Sequence, residues 1–115
     1  MRSSNAQTPN KHSVTLAAAL LLAASSVFAE SPILLVAPPE IQKAKGNIAP
    51  KFEGAEEKAV GLSAAIAAVA EECRCHFFDA GLVTSTSRVD GVHLDEDQHD
   101  ELGLALAKAI QPLVS

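Results

Sequence analysis

Residues 33–39 read ILLVAPP. Five apolar residues run without a break, and Pro38-Pro39 ends them, because proline removes a backbone donor and forces an extended exit. A short continuous apolar run bounded in this way predicts a strand buried on both faces, as in a parallel sheet. Downstream, a helix is predicted over 55–73. Ala55, Ala59, Leu62, Ile66, Val69 and Cys73 recur at alternating steps of four and three and make one apolar face. Gly54 is an acceptable N-cap, and Glu56 and Glu57 in the first turn favour the helix dipole. Residues 75–79, CHFFD, predict a second short strand, after which Ala80-Gly81 turns the chain. Strand, helix and strand of these lengths form one βαβ unit, whose right-handed crossover demands a parallel pair. The fold class expected is α/β.

Residues 40–53 carry Gly, Pro, Lys and Asn without periodicity and read as a loop. Loops at the C-terminal ends of strands in α/β folds often border the active site. A second loop, rich in Ser, Thr, Val and Gly, covers 82–94. Asp95 then opens a final helix, with Gln98 as capping-box partner. Leu102, Leu106, Ala109, Ile110 and Leu113 line its inner face, and Pro112 marks its fraying end. Two strands do not make a stable doubly wound sheet, which wants several strands with helices on both faces. An unpaired apolar strand edge is therefore expected, with the aggregation risk that such an edge carries.

The 115-residue length suits one domain. Hydrophobic residues make up 48% of it, but many are alanine, with four Phe and no Trp or Tyr. Alanine buries little area, so the core should be thin, as in a piece that packs against more protein. The net charge of −5 and pI near 5.2 argue against nucleic acid or an anionic membrane surface as the main partner. Cys73 and Cys75 are separated by one residue, which strains an intramolecular disulfide, so two small, partly buried thiols are the simpler reading. Together with His76 they crowd three metal donors into four residues, with no second cluster at zinc-type spacing.

Residues 14–29, VTLAAALLLAASSVFA, are the most apolar stretch, too short and alanine-rich for a transmembrane helix. Two readings stand. One is a signal peptide preceded by Arg2, Lys11 and His12 and cleaved after Ala29 of Val27-Phe28-Ala29, giving a periplasmic or secreted protein. The other is a buried helix with Leu16, Ala19, Ala23 and Val27 at helical spacing, closed by Ser31-Pro32, in a cytoplasmic protein. Residues 1–12 are polar and unpatterned and read as a disordered leader. The expected organisation is thus a leader over 1–12, an apolar segment over 13–30 and the α/β part over 31–115.

The residues that carry chemistry are Asp90-Gly-Val-His93-Leu-Asp95, just before the final helix. An Asp three residues ahead of a His on a tight turn can fold back and accept the Nδ1 proton. That fixes the tautomer and leaves Nε2 as a base. Gly91 supplies the backbone freedom for the turn. A base held in this way can take a proton from a serine attacking an ester carbonyl and pass it to the leaving alcohol.

The Asp90-Gly-Val-His93 block with its acidic last helix resembles the final block of the SGNH hydrolases, the GDSL-type esterases and lipases. Ile33–Pro39 resembles a strand and its exit in arylesterase-like members. Phe52–Lys58 resembles the start of their next helix, and Phe77–Gly81 the next strand and turn. The pieces occur in the family's order from about residue 31 to residue 114. The resemblance implies part of a flavodoxin-like three-layer fold with no metal cofactor. It also implies hydrolysis of short acyl or aryl carboxylic esters through an acyl-serine, with His93 as general base and Asp90 as its orienting carboxylate. The family's Gly-Asp-Ser nucleophile block and the Gly and Asn of its oxyanion hole have no match here. Ser63, Ser85 and Ser87 lack its context. The chain is then expected to be the C-terminal part of an esterase, inactive alone because it lacks the nucleophile and oxyanion-hole residues, with a small-molecule ester as its substrate when completed.

Two other readings remain. In one, a small exported binding protein uses His93, Asp95, Asp97, His99, Asp100 and Glu101 as a divalent-metal surface. Those residues are equally a helix N-terminal turn and its solvated acidic face. In the other, the family fold survives as an interaction module without chemistry.

Overall fold

The computed structural model describes residue 20 and residues 31–114. The leader expected over 1–12 and the apolar segment over 13–30, Leu20 apart, lie outside the described residues. Strand β1 spans Leu34–Ala37 and β2 spans His76–Asp79. They pair in parallel, Leu34 opposite His76 through Ala37 opposite Asp79, as the βαβ reading requires. Among the described residues the sheet has these two strands.

The helix expected over 55–73 is broken in two. Helix α1 is a single turn, Ala55–Lys58, and α2 runs Leu62–Glu72. Gly61 sits between them at φ 87°, in the left-handed region, and ends any continuous ladder. Gly54, at φ 79°, is the N-cap of α1 as expected. The expected apolar face survives in α2, where Val69 and Cys73 are buried and Leu35 and Cys75 pack against them. The expected loop over 40–53 contains a 3-10 helix, Gly46–Phe52, that passes through Pro50.

At its C-terminal end α2 closes with paired hydrogen bonds. The Cys75 N–H reaches the Ala70 carbonyl at 2.8 Å and the Arg74 N–H reaches the Glu71 carbonyl at 3.2 Å. This is a Schellman cap, and Arg74 occupies its left-handed position at φ 58°, where glycine is usual. No glycine marks the cap in the sequence. The flanking cysteines are thiols, Cys73 buried and Cys75 half-buried. Burial, with the neighbouring Cys75 and Glu72, pushes the Cys73 thiol pKa up.

Burial of the strands on both faces is not what the structure shows. Ala37 at the end of β1 and Ala80 just after β2 are fully enclosed, but Val36 is 40% exposed and Phe77 37%. Alternation puts Leu35 and Val36 on opposite faces, and the buried Val69 and Cys73 of the α2 face pack against Leu35. Among the described residues neither outer edge pairs with a further strand.

The last helix, α3, spans Glu96–Val114 and continues two residues past Pro112. Asp95 donates its N–H to Gln98 Oε1 at 2.8 Å, the expected half of a capping box. Leu102, Leu106, Ala109 and Leu113 are half-buried. Ile110 is instead 40% exposed, because a rotation of ~100° per residue places it at the margin of that stripe.

Two substitutions test this packing by urea unfolding. Val69→Ala should cost about 2 kcal/mol, since it removes buried methyl groups from the small core under α2. Arg74→Gly should raise stability by about 0.5 kcal/mol, the relief of the left-handed strain less the added freedom of the unfolded chain.

Candidate active site

The loop before α3 is organised by the hydroxyl of Ser87, which is 1% exposed. Its Oγ accepts the N–H groups of Val89 at 2.9 Å and Asp90 at 3.2 Å, and donates to Asp95 Oδ1 at 2.7 Å. The Ser87 main chain closes the same turn. Its N–H donates to the His93 carbonyl at 2.7 Å, and its carbonyl accepts the Gly91 N–H at 2.9 Å. One side chain therefore ties the turn to the start of α3.

Within that turn Asp90 folds back on itself. Its Oδ1 accepts the N–H groups of Val92 at 2.8 Å and His93 at 2.9 Å, leaving Oδ2 for His93 Nδ1 at 2.8 Å. The Val92 N–H first, then the His93 ring and its N–H, hold the Asp90 pKa down to about 2. Asp90 is thus a carboxylate at neutral pH, so the proton between the two side chains sits on Nδ1. The His93 side chain is 64% exposed and that of Asp90 25%.

The loop after β1 straps this turn in place. The Gln42 N–H reaches the Gly91 carbonyl at 2.9 Å and the Lys45 N–H the Asp90 carbonyl at 3.0 Å. Gln42 Nε2 donates to Thr86 Oγ1 at 3.1 Å, and Lys45 Nζ to the Arg88 carbonyl at 3.0 Å. Gly91, at φ 80°, lies so close to the strap that a Cβ would stand 2.7 Å from the Lys43 carbonyl oxygen. Gln98, 1% exposed, donates to the Thr86 carbonyl at 2.9 Å. Phe52 meets the His93 ring edge-on, with centroids 6.3 Å apart and planes at 81°.

Beside His93 opens a cavity of about 520 Å³, lined by Val36, Pro38, Ile41, Leu62 and Leu102 among others. Ser63 also lines it, with its hydroxyl donated to Asp79 Oδ2 at 2.9 Å. Ser85 accepts from Gln98 Nε2 at 3.3 Å, and Ser87 is bound to Asp95. The hydroxyl of each serine set aside in the sequence is thus engaged away from the His93 ring.

Three of the four acidic residues considered as a metal surface are engaged separately. Asp95 holds Ser87, Asp97 pairs with Arg88 at 3.0 Å, and Glu101 accepts from Thr84 Oγ1 at 2.7 Å. Among the described residues no three His, Cys, Asp or Glu side chains are grouped to hold a metal ion.

Asp90 and His93 stood out in the sequence, whereas Ser87, the Gln42–Lys45 strap and Phe52 did not. The Ser-x-x-Asp-Gly spacing of residues 87–91 was the one local signal for Ser87, because such serines commonly bond the N–H groups that follow them.

Two predictions follow from the turn. Gly91→Ala should destabilise the chain by about 2 kcal/mol or more in urea unfolding, from the strained φ and the approach to Lys43. Because folding lowers the Asp90 pKa from ~4 to about 2, its stabilisation is complete above pH ~4 and is lost as pH falls towards 2. Asp90→Asn should remove that part of the acid slope, so the stability gap between variant and wild type should narrow across the same window.

No protein-family model and no curated protein sequence matches the chain. Solved structures do. The aryl esterase of M. smegmatis is 37% identical over 72% of this chain and 39% of its own, with a TM-score of 0.67. A carbohydrate acetylesterase family member from Sinorhizobium meliloti is 32% identical over 72% and 39%, with a TM-score of 0.65. A protein of Agrobacterium tumefaciens strain C58 assigned as an arylesterase is 31% identical over 88% and 50%, with a TM-score of 0.71. The chain therefore spans about 39–50% of the length of these proteins. Its α/β arrangement, with two parallel strands and three helices, matches part of the fold of these esterases, and the chain belongs to the SGNH (GDSL-type) hydrolase family as the C-terminal part of an arylesterase-like domain.

Proposed function

We propose that this chain supplies the acid–base pair of a serine esterase whose nucleophile is carried by the remainder of the domain. The observation behind this reading is the 2.8 Å contact of Asp90 Oδ2 with His93 Nδ1, made while both Asp90 Oδ1 bonds go to the backbone. Asp90 cannot swing without breaking two main-chain bonds, so it holds the imidazole in one tautomer and orientation.

In the proposed reaction His93 Nε2 takes the proton of an attacking serine hydroxyl as the serine oxygen bonds to the ester carbonyl carbon. It then gives that proton to the alcohol oxygen as the ester C–O bond breaks, leaving an acyl-serine. Water repeats the sequence and releases the acid. The carboxylate of Asp90 stabilises the imidazolium formed in each half. Short acyl or aryl carboxylic esters are the proposed substrates, in line with the aryl esterase and carbohydrate acetylesterase it resembles. The described residues supply no serine hydroxyl bonded to the His93 ring, so the chain alone should turn over no ester.

The test uses aryl acetates. The 115-residue chain alone should show no turnover above buffer. Co-expression with the N-terminal remainder of the M. smegmatis aryl esterase should restore it. His93→Ala should then cost at least ~10³-fold in kcat, and Asp90→Asn at least ~10²-fold. Restored turnover that survives His93→Ala would rule the reading out.

A further inference from the structure

We infer that Ser87, with the carboxylate of Asp95 behind it, is a positioning residue for the Asp90–His93 pair: it grips the backbone of both members and ties them to the start of α3. The inference rests on the proposed acid–base role of that pair and adds what holds the pair in place against the rest of the fold.

The grip closes around one residue. The Ser87 N–H donates to the His93 carbonyl at 2.7 Å, while its Oγ accepts the Asp90 N–H at 3.2 Å. Main chain and side chain of Ser87 thus reach one member of the pair each. The hydroxyl also accepts the Val89 N–H at 2.9 Å and donates to Asp95 Oδ1 at 2.7 Å. A serine hydroxyl has one proton and two lone pairs, and here all three are engaged. With its proton on a carboxylate and the residue 1% exposed, Ser87 holds and does not attack.

The bonds inside the turn fix a different relation. Asp90 Oδ1 takes the N–H groups of Val92 and His93, and Oδ2 meets the ring, which sets Asp90 against His93. The main-chain bonds of Gln42 and Lys45 hold the turn from the loop after β1. Ser87 and Asp95 hold it from the helix. Asp95 is anchored independently of the serine, since its N–H goes to Gln98 Oε1 at 2.8 Å and its carbonyl accepts the His99 N–H at 2.9 Å. A carboxylate acceptor places the Ser87 bond in the stronger, charge-assisted class. Without Oγ the Val89 and Asp90 N–H groups lose their acceptor in a part-buried turn, and the turn must move to find another. An acid–base pair tolerates little movement, because a displacement of ~1 Å can cost ~10²-fold in rate.

Carbon NMR of the Asp90 carboxyl in the 115-residue chain, followed across acid pH, tests the role directly. In the wild type it should titrate at about 2, held there by the Val92 N–H and by His93. In Ser87→Ala it should rise towards the ordinary ~4 as those bonds loosen with the turn. Asp95→Ala should move it the same way by less. The double variant should be no worse than Ser87→Ala, because Asp95 acts through the serine. Ser85→Ala removes a hydroxyl that meets Gln98 Nε2 and not the turn, and should leave the titration unchanged. A fall in global stability alone does not move the titration of a carboxyl in the folded chain. When the chain is completed with the N-terminal remainder of the M. smegmatis aryl esterase, Ser87→Ala should lower kcat by about tenfold or more and keep KM within about twofold. An unchanged Asp90 titration in Ser87→Ala overturns the inference; if that variant does not fold, an unchanged titration in Asp95→Ala overturns it equally. So do effects of the two substitutions that simply add. A shifted titration with no ester turnover in the completed wild type upholds the positioning role and sinks the esterase reading. Turnover that is lost in His93→Ala but indifferent to Ser87→Ala, with an unshifted titration, does the reverse.

Discussion

Parallel pairing of β1 with β2 is the constraint from which the rest of this structure follows. Parallel neighbours cannot be joined by a hairpin, so the chain must cross over, and α2 is that crossover. One crossover helix covers one face. The core is accordingly small, built from Val69, Ala70 and Cys73 with the enclosed alanines Ala37 and Ala80. The same pairing brings the C-terminal ends of both strands to one end of the sheet. The loops that leave those ends, residues 38–54 and 80–95, therefore meet.

Where the two loops meet, polar contacts do what apolar packing does elsewhere. Among the described residues the largest fully buried side chains are Gln98 and Ser87, not leucines or phenylalanines. Each satisfies several main-chain or side-chain groups, and among the described residues no buried side-chain polar atom lacks a partner. A fully satisfied network of this kind specifies one geometry, because any shift leaves a desolvated group unpaired. The Asp90–His93 contact inherits its precision from that network. Its carboxylate is fixed by two backbone N–H groups, the backbone is fixed by Ser87, and Ser87 is fixed to the helix through Asp95.

Much of this was legible in the residues. The apolar run ending in Pro38-Pro39, the amphipathic face through Val69 and Cys73, and the short strand before Ala80-Gly81 led directly to the βαβ unit. The Asp90-Gly-Val-His93 spacing led to the pair itself, and Asp95 with Gln98 to half of a capping box. The expectations that failed were the unbroken helix over 55–73, the burial of the strands on both faces and the place of Ile110 on the inner face of α3. Gly61 lay inside a regular apolar period, and periodicity does not register that a single left-handed residue splits a helix. Arg74 takes a conformation that sequence signals reserve for glycine, and the cap it forms was invisible for that reason.

By itself the sequence determined the element types, their order, the parallel pairing and the two residues that form the Asp–His contact. These depend on local periodicity, proline and glycine placement and short spacings along the chain. Only the tertiary structure decided that Gln42 and Lys45 strap the turn, that Phe52 meets the His93 ring, that Ser63 and Ser87 are engaged elsewhere and that the faces of the sheet are unequally covered. Those contacts join residues up to 49 positions apart in the chain, as in the Gln42 N–H bond to the Gly91 carbonyl. No local pattern encodes such a contact, because it exists only after β1 and β2 have aligned the loops that carry its two ends.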